Sequence, residues 1–503
     1  MAQPPSPTAS SSNIEPEHGL TQPYGEKAAG TVVEASGESD DFSSDGRQPV
    51  PLSWKIASVV LVTAIGFGSQ WSSGITAAMK STIKKEMGIT NTQFSLLEAS
   101  EDFMVTALMM VSGIVTDRIG GAGAMLYGNL IYSVGSILVA GAAQTRSYKF
   151  MIAGRVVRAL GDIATQIAQY KVFSSWFAPG NGFGSTLGFE LGVGKMGAFA
   201  GKSSANIIAK KTGKFAWVFW VAVFMNIFTN VMTVVFYWFT KVANRKFHGI
   251  NDPATGEKLS EKSKKFETRK VRAVMAFSLF ETSTAIVFLQ SATELAEQRF
   301  GTDSIAAGWY SSVLQYAGFF VVPLLGIFID LYGHRISILV FCGLGVFTSM
   351  LLVNFSGAVK GTAASFGVFA FAYCFGPTTI IDSTRTSMMN IIVRVITGRI
   401  QDVDNNSYDR VTILYVVLAG CSVVVSLILG IVAWRSVDLG HLQWTRKMRI
   451  ARGHILNSRK QRFYEENGGR NKKISLFYFA SLILLILGSW CGYFWGIATG
   501  NNG

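Results

Sequence analysis

Charged side chains occur inside several long apolar stretches of this chain. Arg155, Arg158 and Asp162 have spacings of three and four residues, which place them on one face of an α-helix. A charge at mid-membrane costs at least about 2.5–3.5 kcal/mol on insertion scales, so each one needs a partner or a task. The three residues therefore predict either a charge set that faces a cavity or an interhelical ion pair that fixes packing.

The next apolar stretch carries Glu190 and Lys195, whose five-residue spacing separates their directions by about 140° on a helix. They cannot both point at one partner. One arrangement pairs Glu190 with Arg155 or Arg158 and leaves Lys195 to bind a substrate carboxylate. The alternative pairs Lys195 with Asp162. In the first case Asp162 or Glu190 binds an amine or orients Lys195.

Further carboxylates are candidates for carrying a proton, because a buried carboxyl without a partner favours its protonated form. Glu101 and Asp102 lie near the non-cytoplasmic end of their segment, where a solvated vestibule is the alternative interpretation. Glu281 is the third candidate, with a hydrogen-bonded packing role as its alternative. Four neutral or aromatic side chains are predicted to line a substrate cavity: Gln70, Trp71, Gln166 and Gln169.

A polar junction recurs in the two halves of the chain. The run Gly-Ile-Val-Thr-Asp-Arg-Ile-Gly-Gly at 113–121 has a looser copy at 326–335, and each follows a long apolar segment. Duplication favours a gating role over plain loop solvation, since an aspartate at a helix end can accept hydrogen bonds from a neighbouring helix N-terminus. The predicted gating residues are Asp117, Arg118, Asp330 and Arg335.

Composition places the chain among helical membrane proteins, since 49% of its 503 residues are hydrophobic and only 15% are charged. Spanning a hydrocarbon core takes about 20 apolar residues, and many stretches here reach that length. The net charge of +14 is concentrated in segments that flank apolar stretches, which indicates cytoplasmic loops and lipid headgroups as neighbours, and no nucleic acid. We find no phosphate loop, no metal-ligand spacing and no catalytic signature, and so predict no enzyme activity, metal or cofactor.

The apolar segments predict an all-α membrane protein with two six-helix bundles and one extra C-terminal transmembrane helix. Helix 11 is predicted to be shortened, because the apolar part of 386–400 rises only about 22 Å. Either ten to twenty residues are missing there or a half-helix lines a cavity. The predicted regions are a disordered cytoplasmic tail at 1–52, an N-terminal bundle at 53–240, a basic cytoplasmic loop at 241–270, a C-terminal bundle at 271–435, a basic cytoplasmic segment at 436–475 and the extra helix at 476–497.

The two junctions resemble the loops between helices 2–3 and 8–9 of the major facilitator superfamily. Gly-Arg-Val-Val-Arg-Ala-Leu-Gly at 154–161 resembles its second signature. The runs at 66–71, 87–94 and 188–197 are similar to the branch that contains the lysosomal dipeptide transporter. The resemblance implies a twelve-helix core with a substrate cavity between its halves. It also implies that Lys195 faces that cavity, and that Asp162 lies at or next to an acidic position of the branch.

Together these features predict a secondary active or facilitative transporter of a small organic solute that bears a carboxylate, with dipeptides as the leading candidate, working by alternating access. Uniport and proton symport both stay open. The expected partners are a small-molecule substrate and the lipid bilayer, and an accessory membrane subunit is left open. The expected location is a vacuolar, lysosomal or plasma membrane. The rival hypothesis is a non-transporting scaffold or a splice-defective transporter, supported by the short segment at 386–400.

Overall fold

A computed structural model describes residues 48–176, 183–248, 268–356, 359–376, 383–435, 440–448, 451–452, 476–477, 480–481 and 483–498. The predicted disordered tail lies outside these residues except at its end, as does most of the two predicted basic cytoplasmic segments. The described part of the chain is almost entirely helical, which confirms the prediction of an all-α membrane fold.

Seven helices form the first half of the described chain. They are α1 (Leu52–Ala78), α2 (Lys80–Met87), α3 (Asn91–Ile119), α4 (Gly121–Thr145), α5 (Tyr148–Trp176), α6 (Phe183–Thr212) and α7 (Ala216–Lys246). The second half contains α8 (Thr268–Phe300), α9 (Ser304–Tyr332), α10 (Arg335–Phe355), α11 (Val359–Ala372), α12 (Ser383–Val403), α13 (Asp409–Arg435) and α14 (Ile483–Ala498). A two-residue parallel pairing joins β1 (Gln48–Pro49) to β2 (Phe247–His248), and a 3₁₀ turn spans His441–Gln443.

Six of the described helices are long and apolar enough to cross a membrane, and α3 is a seventh if its two parts, which meet at 56°, form one span. The six are α1, α4, α7, α9, α10 and α13. The long helices α5, α6, α8 and α12 are less apolar because they carry the charged and polar side chains that face the interior. Membrane helices with such residues turn them toward the bundle interior or a polar cavity.

The helices pack as two bundles with separate apolar cores. Helix α1 packs on α6 and α7, and α4 packs on α5 and α7, while α10 packs on α11 and α13 in the second half. The N-terminal bundle has two buried apolar clusters, and the C-terminal bundle has its own large cluster around Phe288 and Tyr415. Two seams join the bundles, α3 against α12 and α6 against α9. Each seam pairs the second crossing helix of one bundle with the fifth of the other, as a pseudo-twofold arrangement requires.

Glycine permits the close approach of α6 to its neighbours. A Cβ atom on Gly188 would lie 2.9 Å from the backbone oxygen of Val322 in α9, and one on Gly201 would lie 2.3 Å from the backbone oxygen of Trp71 in α1. Small residues let helix backbones approach in this way. Helix α6 is therefore held between α1 of its own bundle and α9 of the other.

The structure corrects the predicted shortening of the eleventh transmembrane helix, which corresponds to α12. Helix α12 has 21 residues and so rises about 32 Å, enough to cross a hydrocarbon core of about 30 Å. The prediction was wrong because it followed apolar residues only. Polar residues at both ends, from Ser383 and up to Gln401 and Asp402, continue the helix, and Arg394 lies within it.

Candidate functional site

A network of charged side chains connects α3 to α5 inside the N-terminal bundle. Nη1 of Arg155 donates to Glu98 at 2.6 Å and to Glu101 at 3.4 Å, and Nη2 of Arg158 also binds Glu101. Arg155 is fully buried. Arg155 and Arg158 thus bind carboxylates of α3, and not Glu190.

The same network crosses to the C-terminal bundle. Nη1 of Arg394 in α12 lies 3.2 Å from Oε2 of Glu98, and its Nε lies 2.8 Å from Oδ2 of Asp102. Gln290 of α8 donates to Glu98 at 2.8 Å and accepts from Arg394. Three carboxylates of α3 thus contact three guanidinium groups, two from α5 and one from α12 across the seam. This balance removes the cost of isolated charges.

Lys195 of α6 lies apart from this network, against the C-terminal bundle. Its Nζ is 4.2 Å from the centre of the Tyr373 ring, and its side chain runs over Gly318 of α9, where a Cβ atom would come within 2.7 Å of it. Within the described residues, no carboxylate lies within 4.0 Å of Nζ. Asp162, the alternative partner, instead accepts a hydrogen bond from Gln166 at 2.7 Å.

Glu190 lies on the α1 side of α6. A Cβ atom on Gly66 would be 3.5 Å from its Oε1 and 2.9 Å from Nε2 of Gln169, so Gly66 leaves room for both side chains. Gln169 donates to the backbone oxygen of Val62 at 3.3 Å. Glu190 forms no ion pair within the described part of the chain, since Arg155 and Arg158 bind α3.

The remaining predicted lining residues divide between the interface and the core. The side chain of Gln70 packs over Gly194 of α6, where a Cβ atom would lie 3.2 Å from its Cγ. Trp71 is 7% exposed and belongs to a buried apolar cluster of the N-terminal bundle. The structure therefore places Gln70 against α6 and Trp71 in the core.

Glu281 of α8 is fully buried near the same interface. Its carboxylate lies 3.0 Å from the hydroxyl of Thr282 and 3.3 Å from Sγ of Cys342, and it interacts electrostatically with Lys195. The other two predicted proton carriers, Glu101 and Asp102, each contact a guanidinium group. Glu281 is thus the one of the three that the described structure leaves without an ion-pair partner within 4.0 Å.

The predicted gating residues differ in their surroundings. Asp330 at the end of α9 accepts from the backbone nitrogen of Ser185 at 2.8 Å and from that of Gly184 at 3.3 Å, across the bundle interface. An aspartate at a helix N-terminus satisfies free backbone donors and complements the helix dipole. Asp117 instead contacts Lys171 of its own bundle at 3.0 Å, and Arg118 is exposed. Arg335 is the first residue of α10.

Sequence reasoning missed a second connection between the bundles, at the end that carries α2, which we call the outer end. Nζ of Lys80 lies 2.8 Å from Oε2 of Glu294 and also donates to Gln401 and Tyr408 at 2.9 Å each. Lys84 contacts Glu294 as well. Burial lowers the pKa of Lys80, and the Glu294 carboxylate opposes that shift. We call these five residues the outer latch.

Around the outer latch, the start of α3 binds the end of α12. The backbone nitrogens of Asn91 and Thr92 donate to the Asp402 carboxylate at 2.8 Å each. Ser81 of α2 donates to Glu297 of α8 at 2.9 Å. Contacts between the two bundles therefore hold the outer end together.

Two helical bundles that meet at a polar interface, with charged pairs at that interface, are typical of membrane transporters. The chain belongs to the Major Facilitator Superfamily, whose family model matches residues 59–396. It is a multi-pass integral membrane protein.

Two curated relatives and one solved structure are similar to parts of the chain. The lysosomal dipeptide transporter MFSD1 of Mus musculus is 27% identical over 154 residues, which are 30% of this chain and 32% of that protein. The Bos taurus protein of the same name is 25% identical over 180 residues, 35% of this chain and 38% of that one. These matches span only about a third of the relatives' length. The proton:xylose symporter XylE has the same fold, with a TM-score of 0.60, 13% identity, and coverage of 78% of this chain and 100% of that chain.

Proposed function

We propose that the protein carries a small solute with a carboxylate, and most specifically short peptides, across a lysosomal or vacuolar membrane by alternating access. The superfamily supplies the mechanism, in which two bundles rock around a site at their interface. The peptide substrate and the lysosomal location come from the names of the partial relatives.

The observation that carries the proposal is the state of Lys195. This ammonium group lies at the interface between the bundles with an aromatic ring as its neighbour, and no carboxylate within 4.0 Å among the described residues. A half-buried cation inside a membrane protein is costly when no carboxylate contacts it, which favours a site that an anionic ligand completes. A substrate carboxylate supplies that counter-ion.

Glu190 and Asp162 are the proposed partners of a substrate amine. Neither carboxylate lies within 4.0 Å of an arginine of the charge network. Glu190 and Lys195 point in directions about 140° apart, so a zwitterion that binds both must reach around α6. Asp162 on α5 is the alternative partner for the amine. A molecule with separated amine and carboxylate groups, such as a dipeptide, fits this division.

Glu281 is the proposed proton carrier if transport is proton-linked. It is buried close to Lys195 and lacks a cationic partner within 4.0 Å in the described structure, so it can exchange a proton without breaking an ion pair. A change in the charge of Glu281 changes the electrostatic potential at Lys195. This coupling gives proton binding a route to the substrate site.

We favour a transporter over a non-transporting scaffold or a splice-defective product because of the length of α12. With 21 residues this helix is long enough to cross the membrane, and Arg394 within it contacts Glu98 and Asp102 of the charge network.

Uptake of labelled dipeptides by reconstituted vesicles tests the proposal, with and without a pH gradient. Loss of a charge-assisted hydrogen bond costs about 1.5–3 kcal/mol, so Lys195→Ala is expected to weaken substrate affinity by about ten- to a hundredfold. Lys195→Arg keeps the charge and should retain part of the activity. Lys149→Ala, an exposed lysine at the start of α5, is the matched control and should transport normally.

The result contradicts the proposal if intact protein takes up no dipeptide, or if Lys195→Ala and Lys149→Ala behave alike. A dependence on the pH gradient that disappears in Glu281→Gln supports proton symport. Uptake that is indifferent to the gradient in both proteins assigns uniport.

A further inference from the structure

Helix α14, the helix beyond the twelve that the superfamily resemblance implies, presents one face to the bundles. Trp490, Tyr493 and Ile497 recur at helical spacing, and Tyr493 is only 6% exposed. On other sides of α14, Leu484 is 69% exposed and Trp495 is 53% exposed. One side of the helix is therefore packed on protein, and the other is more exposed.

The contacts of α14 with α3 are directional. Nε1 of Trp490 donates to Oγ1 of Thr106 at 3.3 Å. The Phe103 ring lies 5.1 Å from the ring of Trp490, 5.0 Å from that of Tyr493 and 5.9 Å from that of Phe494. A hydrogen bond and three ring contacts have preferred geometries, so they resist sliding of one helix along the other.

The contacts of α14 with Ile391 and Val395 of α12 are apolar. These two side chains share a buried cluster with Tyr493 and with Leu96 of α3. A Cβ atom on Gly496 would lie 3.1 Å from Cγ1 of Val395, so the helices approach closely there. Apolar contact is non-directional and is preserved when smooth surfaces shift along one another.

The seam that α14 covers contains buried charges. Asp102 of α3 and Arg394 of α12 lie 2.8 Å apart, and Asn390 contacts Asp102 at 3.5 Å. Charges in the membrane require shielding from hydrocarbon. If the bundles move relative to each other, this seam is where lipid would gain access to them.

We propose that α14 is a sliding wall of the transporter. It is fixed to the N-terminal bundle through α3, moves past α12, and keeps lipid away from the Asp102–Arg394 contact during the transport cycle. Trp490 and Tyr493 act as positioning residues, because they hold the helix that carries Glu98, Glu101 and Asp102. This inference rests on the alternating access of the proposed function, but not on the identity of the solute.

Disulfide trapping in full-length protein tests the inference. The four native cysteines are replaced by serine. The cysteine introduced by Lys195→Cys reacts with an impermeant maleimide, and the rate of this reaction from each side of the vesicle measures access to the interface. Three cysteine pairs are compared after oxidation: Thr106→Cys with Trp490→Cys, Val395→Cys with Gly496→Cys, and Ser81→Cys with Glu297→Cys.

We expect the α3–α14 bond to leave both labelling rates within twofold of the unbonded protein. The α12–α14 bond should lower labelling from at least one side by tenfold or more. The bond between Ser81→Cys and Glu297→Cys joins the bundles at the outer end and should lower labelling from the outer side by tenfold or more. A reductant should restore the labelling rates in both cases. If Gly496→Cys prevents folding, Ile391→Cys with Tyr493→Cys provides the bond to α12.

The inference is overturned if the α3–α14 bond blocks labelling from either side, or if both α12–α14 bonds leave both rates unchanged. Labelling from one side only, before any bond forms, overturns alternating access and the inference together. Labelling from both sides, combined with absent dipeptide uptake by protein that retains Lys195, overturns only the proposed substrate.

Discussion

Arg394 of α12 and Asp102 of α3 form an ion pair of 2.8 Å that joins the two bundles inside the membrane. The same guanidinium group also contacts Glu98, which binds Arg155 of α5. One arginine from the C-terminal bundle thus completes a set of charges whose other members lie in the N-terminal bundle. Any motion that separates α3 from α12 must break or exchange these contacts.

Replacing Arg394 is expected to destabilise the protein strongly. Arg394→Met leaves Asp102 buried beside Asn390 without a cation, and removing one partner of a buried pair costs about 3–5 kcal/mol. The melting temperature in detergent should fall accordingly. Asp102→Asn in the Arg394→Met background should recover part of the loss, and a double variant no more stable than Arg394→Met would contradict the pairing.

Breaking the outer latch is expected to open the outer end. Glu294→Gln removes the carboxylate that binds both Lys80 and Lys84, and so weakens the closed state. The maleimide labelling rate of a cysteine at Ser81 should rise by about tenfold, which corresponds to about 1.4 kcal/mol. Restoring opposite charges with Lys80→Glu and Glu294→Lys should reverse part of the increase. Unchanged labelling in Glu294→Gln would show that the latch does not hold this end shut.

Replacing Asp330 is expected to alter the bundle interface as well as the stability of α6. Asp330→Ala removes the side chain that caps α6 from the other bundle, at a cost of about 1 kcal/mol. Asp303 caps α9 within its own bundle, accepting from the nitrogen of Ala306 at 3.0 Å, and so provides the control. Both alanine variants should lower the melting temperature, but only Asp330→Ala should change cysteine labelling at the interface. Equal labelling in the two variants would argue against a gating role.

Glycine packing at the α6–α9 seam gives a prediction about stability alone. A Cβ atom on Gly326 would come within 2.5 Å of the backbone oxygen of Gly184, so Gly326→Ala must push the helices apart. Overpacking of this kind costs about 1–3 kcal/mol. Gly367 of α11 has nothing within 4 Å of its Cβ position, and Gly367→Ala should be neutral or stabilising. The thermal midpoints of the two variants compare the effects directly.

Sequence alone predicted the fold class and several charged residues of the interface, because apolar length and isolated charges are local signals. It did not predict their partners. Arg155 binds Glu98, 57 positions earlier in the chain, and the choice between Glu98 and Glu190 depends on how α3, α5 and α6 are rotated, which spacing within one helix does not determine. For the same reason, Trp71 was expected at a cavity and lies in the core.

Arg394 and the outer latch were missed for different reasons. Arg394 lies in the segment at 386–400, whose short apolar run predicts a shortened helix, although an arginine within a membrane helix requires a carboxylate partner. Lys80 and Glu294 lie near helix ends, where exposure to water is the ordinary expectation. Only the approach of the two bundles buries them.

The distance along the chain between Asp102 and Arg394 has a consequence for biosynthesis. Helix α3 enters the membrane before α12 has been translated. The Asp102 carboxylate therefore lacks its Arg394 partner until most of the later helices have been inserted. Helix α12 is itself too polar to be among the strongly apolar spans. The two segments therefore depend on each other for stable insertion, and a chain that stops before α12 is expected to be recognised by membrane quality control as incomplete.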